Sequence, residues 1–261
     1  MADILEQIAE HNRGIYLDKK LEVPTSRMMD LAYAAPSTGF AFEKRLKEDG
    51  ISFICEVKKA SPSKGIIAED FPYLEIARSY EKAGASCISC LTEPKWFMGS
   101  VDYLEGIASE VRIPVLRKDF TVDEYMIYEA RARKASAVLL ICSILDAGTL
   151  GKYIRICDEL ELTALVEAHD KNECDMALGE GARVIGVNNR NLRDFTVDPA
   201  NCLRLRDYIG DQAIFVAESG VKSREDVEVL EQAGVDAVLI GESMMRAEDK
   251  TAFLKSLKGT E

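Results

Sequence analysis

Residues 52–58 read SFICEVK, an apolar run that stops at the charged side chains of Glu56 and Lys58. Short Val/Ile/Leu-rich runs of this kind occur eight times, starting at Ser52, Ser86, Pro114, Ala137, Thr163, Arg183, Ala213 and Ala237. The residues at or just after their ends are Glu56 and Lys58, Glu93, Lys118, Ser143, Glu167, Asn188, Glu218 and Gly241. An apolar strand that stops at a reactive side chain directs that side chain out of the core. The pattern therefore predicts one shared cleft lined by these residues, as in an enzyme.

The spacing of the runs predicts the fold class. Their starts are 20 to 34 residues apart, and each gap carries a helix-periodic segment such as YLEIARSYEKAGA at 73–85. Continuous apolar runs are typical of a parallel sheet that helices cover on both faces. Eight such units, with no GxGxxG or P-loop motif, favour an α/β fold of the closed (β/α)8 TIM barrel type over an open doubly wound sheet.

Residues 1–50 precede the first strand and contain two helical stretches, ILEQIAEHNRGIYLDKK and TGFAFEKRLKEDG. No long polar linker separates them from Ser52, which argues against an independent domain. We therefore expect a single domain over residues 1–261, with residues 1–50 as a helical extension packed on the barrel and residues 51–261 as eight βα units.

Composition limits the partners. The formal charge of −12, without a basic run, argues against nucleic-acid binding, although a few converging cations can still bind a small anionic metabolite. Seven cysteines, several inside apolar runs, indicate a reducing, cytoplasmic compartment.

The N-terminus has no long apolar segment, so neither a secretory signal nor a membrane contact is expected. With no obvious exposed apolar stripe we expect a monomer, the alternative being a dimer through an outer helix face.

Four residues at three strand ends carry the predicted chemistry. Glu56 and Lys58 are two residues apart and so point to the same side of their strand. Lys118 ends the third run and Glu167 the fifth. One such residue alone is best explained by a rim salt bridge, but four at equivalent positions favour an acid–base site. Carboxylates beside a lysine shift its pKa, and a lysine can then act as a general acid.

The sequence around the two histidines gives weaker evidence for a catalytic role than the strand-end lysines and carboxylates do. His11 lies in the helical extension, which favours a solvated helix face, and His169 precedes Asp170 at a helix start, which favours capping or loop packing. The sequence has no HxH or HExxH pattern, so no metal is expected.

The last strand ends predict a phosphate site. Gly220 and Gly241 each lead into a helix, where backbone amides can hold a phosphate, and Ser61, Ser63 and Lys64 of the first loop are expected nearby. The alternative is that both glycines only form tight turns.

Seven segments together resemble one family in their order and spacing. They are FICEVKKASPSKG (53–65), CLTEPKWFMGS (90–100), LRKDF (116–120), LVEAHD (165–170), IGVNNRNL (185–192), VAESGV (216–221) and LIGESM (239–244). They resemble the indole-3-glycerol phosphate synthases, and the resemblance covers about residues 5–255.

The resemblance implies a carboxy-lyase of tryptophan biosynthesis. Such a lyase closes the ring of 1-(2-carboxyphenylamino)-1-deoxyribulose 5-phosphate, with loss of carbon dioxide and water and without a cofactor. It implies Lys118 as general acid, Lys58 as a second lysine for the substrate carboxylate or the departing water, and Glu167 as base in the dehydration. Which lysine gives which proton stays open.

The resemblance also implies the remaining site residues. The catalytic set is Glu56, Lys58, Lys118, Glu167, Asn188, Glu218 and Ser219. The substrate-binding set is Ser61, Phe97, Phe120, Arg190 and Leu192, and the phosphate-binding set is Ser61, Gly220, Gly241 and Glu242. The Glu242 carboxylate would repel a phosphate unless it turns outward.

Two other functions are alternatives. A phosphoribosylanthranilate isomerase-like enzyme would be expected to carry an Asp and Cys pair where this chain has Lys and Glu. A non-catalytic phosphosugar-binding barrel would be expected to lack at least one of Lys58, Lys118 and Glu167, and this chain has all three.

Overall fold

The computed structural model of the chain describes residues 4–190 and 195–260. Eight parallel strands close into a barrel. The strands are β1 (Ser52–Val57), β2 (Cys87–Leu91), β3 (Val115–Lys118), β4 (Ala137–Ile141), β5 (Thr163–Ala168), β6 (Val184–Asn188), β7 (Ile214–Glu218) and β8 (Ala237–Ile240). The barrel closes because β1 pairs with both β2 and β8. The predicted TIM barrel is confirmed, and each strand starts within one residue of its predicted start.

Helices connect the strands on the outside of the barrel. The helices are α1 (Ile4–Glu22), α2 (Thr25–Ala34), α3 (Ala41–Leu46), α4 (Tyr73–Ala83), α5 (Val101–Glu110), α6 (Glu124–Ala132), α7 (Ala147–Glu159), α8 (Lys171–Gly179), α9 (Ala200–Ile209), α10 (Arg224–Gln232), α11 (Glu242–Arg246) and α12 (Lys250–Lys258). The loop after β1 contains a small hairpin of Ala60–Ser61 and Gly65–Ile66.

The strands are buried on both faces, as their unbroken apolar runs predict. In β4, Val138 and Leu140 pack in the layer between strands and helices, while Ala137, Leu139 and Ile141 belong to a second apolar cluster that fills the barrel. This alternation follows from the two-residue period of a strand. The strand ends are thereby held rigidly at one rim.

The three N-terminal helices take different positions on the barrel. The Asn12 amide of α1 donates to Asp119 Oδ1 at 2.9 Å and to the Phe120 carbonyl at 3.0 Å, just beyond the end of β3. Helix α2 packs against α6. Helix α3 covers the opposite end, where the Glu43 N–H donates to the Thr163 hydroxyl at the start of β5. Helix α1 thus lies over the carboxyl ends of the strands.

All seven cysteines are free and buried. Cys87 packs inside the barrel and Cys90 packs between strands and helices, as expected for residues three apart in one strand. Within residues 4–190 and 195–260, no helix has the length and apolar character needed to cross a membrane.

Candidate active site

A cavity of about 680 Å³ opens at the carboxyl ends of the strands, below α1. Its lining includes the following predicted site residues: Glu56, Lys58, Ser61, Phe97, Lys118, Phe120, Glu167, Asn188, Arg190, Glu218, Ser219, Gly220, Gly241 and Glu242. The remaining one, Leu192, lies outside the described residues. The predicted side chains, separated by up to 186 residues in the sequence, therefore meet in one cavity.

Lys118 lies between two buried carboxylates. Its Nζ is 3.5 Å from Glu167 Oε2 and 3.5 Å from Glu218 Oε2. Burial by itself lowers the pKa of a lysine, but the carboxylates of Glu218 and Glu167 outweigh it and raise the pKa of Lys118 above its ordinary value. Lys118 therefore carries its proton at neutral pH.

The two carboxylates have opposite pKa shifts although both contact the same lysine. Burial raises the pKa of Glu218 to about 7, because the attraction of Lys118 only partly offsets it and the Glu167 charge adds to it. For Glu167, burial acts in the same direction, but Lys118 and His169 outweigh it and lower the pKa to about 2. The site thus combines a carboxylate whose pKa is lowered, and which is ionised at neutral pH, with one whose pKa is raised to about 7.

Lys58 and Glu56 form an ion pair at the end of β1, and both side chains are largely buried. The pair occupies space that the glycine at position 241 leaves open. A Cβ at Gly241 would lie 2.9 Å from Lys58 Nζ and would overlap the Glu56 carboxylate, so the pair would have to shift. Gly241, predicted as a phosphate ligand, thus leaves room for the second lysine in its present position.

Asn188 joins the ends of β6 and β7. Its Oδ1 accepts hydrogen bonds from the Arg190 N–H and from the Ser219 hydroxyl, both at 3.0 Å. Ser219 and Gly220 have φ angles of 67° and 96°, so the chain turns sharply in the left-handed region directly after Glu218. This turn keeps the Ser219 and Gly220 backbone at the edge of the cavity.

Two predicted substrate contacts form the side walls. The rings of Phe97 and Phe120 lie with their centroids 6.1 Å apart and make an apolar wall. Arg190 Nη1 donates to the Phe195 carbonyl at 3.3 Å, which places the guanidinium at the rim.

The Glu242 carboxylate is neutralised at the predicted phosphate end. Its Oε1 is 3.6 Å from Lys64 Nζ and 3.2 Å from Arg246 Nε. Lys222 also lines this end of the cavity. Sequence reasoning missed Arg246 and Lys222, although Arg246 is four residues after Glu242 on α11, the spacing of an ion pair on a helix.

Two of the strand-end predictions were wrong. Glu93 does not line the cavity among the described residues: it is fully buried, and its carboxylate accepts the backbone N–H groups of Lys95, Trp96 and Phe97 at 2.7–2.9 Å. Ser143 lies in a 3-10 turn, Cys142–Ile144, and lines a separate groove beside α1. Glu93 stabilises a loop because its carboxylate turns back to the chain that follows it.

The histidines also differ from their predictions. The His11 ring packs edge-on against Trp96, with centroids 5.3 Å apart, and so is not simply solvated. Of the two roles predicted for His169, capping is wrong, because Asp170 caps α8 and accepts the Glu173 N–H, whereas loop packing is found, with Asn201 donating to the His169 carbonyl. In addition, His169 Nε2 lies 3.3 Å from Glu167 Oε1, a contact that was not predicted. The spacing Glu167-x-His169 was the only available signal, since residues two apart in a strand share a side.

Comparison with known proteins identifies the family. The family model described as indole-3-glycerol phosphate synthase matches residues 5–257. Curated proteins named indole-3-glycerol phosphate synthase from Ruminiclostridium cellulolyticum and Lachnoclostridium phytofermentans are 49% and 51% identical to this chain. The first alignment covers 98% of this chain and 99% of the relative, and the second covers 98% of each.

Solved structures show the same fold at low identity. A 3-hexulose-6-phosphate synthase is similar with a TM-score of 0.65 and 14% identity, over 80% of this chain and 99% of that one. A phosphoribosylanthranilate isomerase from Thermotoga maritima has a TM-score of 0.56 and 15% identity, over 80% of this chain and 100% of that one. These similarities concern the barrel alone, whereas the match over residues 5–257 and the near-full-length relatives show that this chain belongs to the indole-3-glycerol phosphate synthase family.

Proposed function

We propose that this chain converts 1-(2-carboxyphenylamino)-1-deoxyribulose 5-phosphate to indole-3-glycerol phosphate, carbon dioxide and water, as a carboxy-lyase of tryptophan biosynthesis. Family membership supports the reaction. The observation that carries the chemistry is the position of the Lys118 ammonium, 3.5 Å from both Glu167 and Glu218 inside the cavity. A cavity of about 680 Å³ is also of the size that encloses a small metabolite.

In the first step, Lys118 acts as general acid. The ring carbon that bears the carboxylate attacks the ketone carbon, and Lys118 gives its proton to the ketone oxygen as charge develops there. The raised pKa of Lys118 supports this role, because the residue is protonated before the reaction and the new alkoxide is a stronger base than a lysine amine.

Decarboxylation then follows from the substrate's own electronics. The attack leaves an iminium next to the carboxylate-bearing carbon, so the electrons of the breaking carbon–carboxylate bond move into that iminium. The aromatic ring is restored as carbon dioxide leaves. The substrate thus supplies its own electron sink, and the protein's task is to fold a flexible molecule and keep water out.

Dehydration completes the indole ring. Glu167, ionised because its pKa is about 2, accepts the proton lost from the intermediate. Lys58 donates to the departing hydroxyl, and its ion pair with Glu56 keeps the ammonium aimed into the cavity. Asn188 holds the Ser219 hydroxyl beside the substrate hydroxyls.

The substrate binds between an apolar wall and a phosphate end. Phe97 and Phe120 contact the aromatic ring, with Leu192 as a further apolar contact, and Arg190 pairs with the carboxylate. The phosphate is held by Ser61 and by the backbone of Gly220, Gly241 and Glu242. The pairing of the Glu242 side chain with Lys64 and Arg246 supports this arrangement, since it removes the repulsion that a free carboxylate would cause.

We further propose that residues 1–261 form one domain that acts as a monomer in the cytoplasm and binds no nucleic acid. Leu5 and Ile8 of α1 line the cavity, which supports a single unit. The seven buried thiols support a reducing compartment. Sedimentation at several protein concentrations tests whether the chain is a monomer.

The test is an indole-fluorescence assay with the purified chain and the carboxyphenylamino-deoxyribulose phosphate. We expect indole-3-glycerol phosphate and carbon dioxide in equal amounts. A protein that binds the substrate without forming product would be a non-catalytic phosphosugar barrel. A protein that instead consumes phosphoribosylanthranilate would be an isomerase. Each of these two results would reject the proposed function.

A further inference from the structure

His169 lies between two carboxylates just beyond the end of β5. Its Nε2 is 3.3 Å from Glu167 Oε1, and its Nδ1 is 3.0 Å from Glu173 Oε2. The His169 backbone N–H also donates to Glu173 Oε2 at 2.7 Å. One residue of α8 therefore holds both the main chain and the ring of His169, and the ring in turn contacts a cavity carboxylate.

The surroundings of His169 hold this arrangement in place. Asp170 caps α8 by accepting the Glu173 N–H at 2.9 Å, which fixes the first turn of the helix. The Asn201 amide of α9 donates to the His169 carbonyl at 3.1 Å. The loop between β5 and α8 is thus tied at three points, so the imidazole has a defined position.

The charges around His169 favour its cationic form. Among the described residues, Glu167 faces it from β5 and Glu173 from α8, while Lys118 on β3 and Glu218 on β7 lie beyond Glu167. Cys142, in the 3-10 turn beside α8, is neutral because burial raises its pKa. Burial of the imidazole works against its charge, but its close pairing with the Glu167 and Glu173 carboxylates outweighs this and raises its pKa to about 10.

This histidine is one reason why the pKa values of Glu167 and Glu218 differ. Each has an oxygen 3.5 Å from Lys118 Nζ, and each is buried. Glu167 has a second cation, His169, on its other oxygen, whereas Lys118 is the one cation that pairs with Glu218 among the described residues. An opposite charge at this distance lowers a carboxyl pKa by about 1–3 units.

We propose that His169 is a positioning residue of the ring-closing reaction: held by Glu173, its imidazolium keeps Glu167 ionised and oriented toward the substrate. The inference rests on the proposed function, in which Glu167 is the base of the dehydration. Glu173, which is not in the cavity lining, is then the outer member of a Glu173–His169–Glu167 chain.

The charge state is tested without substrate by ¹⁵N NMR of the imidazole nitrogens. The chain has two histidines, and His11→Gln assigns their signals. We expect His169 to stay protonated through pH 8, and Glu173→Gln to lower its pKa by about 1 unit or more. A His169 that titrates near the ordinary value of 6.5 in the wild type overturns the inference.

Kinetics test the positioning role. His169→Gln removes the cation, so the pKa of Glu167 should rise. In a plot of kcat against pH, the acidic limb should therefore shift to higher pH by about 1 unit or more. We expect kcat at neutral pH to fall about 10- to 100-fold, as when partners that orient a reacting group are removed, with KM little changed. The matched control is His11→Gln, which should match the wild type.

A second variant guards against misfolding of His169→Gln. Glu173→Gln should also lower kcat, but by less than His169→Gln does. The loss should occur mainly above neutral pH, where His169 in this variant would lose its proton. An active wild type with unchanged profiles in both variants overturns the inference and leaves the proposed function intact. An inactive wild type rejects the proposed function and, with it, the positioning role of His169.

Discussion

The two ends of the barrel pair their buried carboxylates differently. At the amino end, Glu43 of α3 accepts from Lys47 Nζ and from Arg183 Nε, each at 2.9 Å, so both of its oxygens are engaged. At the carboxyl end, Glu167 Oε1 faces the His169 imidazole at 3.3 Å, and Glu218 Oε1 is buried with no hydrogen-bond partner among the described residues. Buried polar atoms are normally satisfied, so the unpaired Glu218 oxygen marks a place where a ligand is expected.

The difference also appears in the pKa values. For Glu43, burial raises the pKa, but Lys47 and Arg183 outweigh it and the pKa is lowered, whereas the pKa of Glu218 is raised to about 7. The amino end therefore uses its charges for stability. The carboxyl end keeps Glu218 in a buried position that disfavours its charged form, which is typical of a catalytic site.

Lys118→Ala should show the largest effect. Without the general acid, kcat/KM should fall by about 10²- to 10⁴-fold while the far-UV circular dichroism stays native. Lys47→Ala, which removes a lysine paired with a carboxylate at the other end, is the matched control and should leave kcat/KM unchanged. A Lys118→Ala enzyme of wild-type activity would remove the central role of that lysine.

Gly186→Ala tests how tightly the carboxyl end is fitted. A Cβ at Gly186 would overlap the Glu218 carboxylate and lie 3.2 Å from Leu165 Cδ1, so Glu218 must move. We expect a loss of about 100-fold in kcat, the size that a displacement of about 1 Å can cause. Gly179→Ala, where an added Cβ has nothing within 4 Å, should keep full activity. Equal activity of the two variants would show that the position of Glu218 is not critical.

Glu218→Gln should change how stability depends on pH. Because its folded pKa of about 7 exceeds the ordinary 4.5, the folded state binds more protons than the unfolded state between these values. Stability from this group is therefore lost as pH rises from about 4.5 to 7. In urea titrations, the stability difference between wild type and variant should shift by about 1–3 kcal/mol over this range, in favour of the variant at the higher pH. A constant difference would show that Glu218 has an ordinary pKa.

Glu43→Gln should show the smallest effect, and on stability rather than on activity. It weakens two partly buried ion pairs at the amino end, so the free energy of unfolding should fall by about 1–2 kcal/mol with kcat unchanged. Glu48→Gln, which breaks a more exposed pair with Arg45 at the same end, should cost less than about 1 kcal/mol. A large loss of kcat in Glu43→Gln would contradict the division between the two ends.

Most of the barrel could be predicted because its signals are local. A run such as AVLLI at 137–141 shows strand and burial by itself, and the residue after such a run falls at the carboxyl rim whatever the rest of the chain does. Lys118 and Glu167 were found in this way.

The errors arise where a side chain's direction depends on contacts that are distant or irregular. Glu93 follows a strand like the others, but its carboxylate turns back onto three N–H groups of the next loop. The contact of His169 with Glu167 was not predicted, because the partner that holds the ring, Glu173, comes into range only after α8 forms. The placement of α1 over the cavity depends on Asn12 reaching Asp119, 107 residues away, which no local pattern reveals.

A crystal structure with a substrate analogue whose ketone is reduced to an alcohol is the decisive test of the role of Lys118. We expect the alcohol oxygen within about 3.2 Å of Lys118 Nζ. We also expect the phosphate at Ser61, Gly220 and Gly241, with the aromatic ring against Phe97 and Phe120. An analogue bound with its alcohol away from Lys118, or bound outside this cavity, would contradict the proposed site.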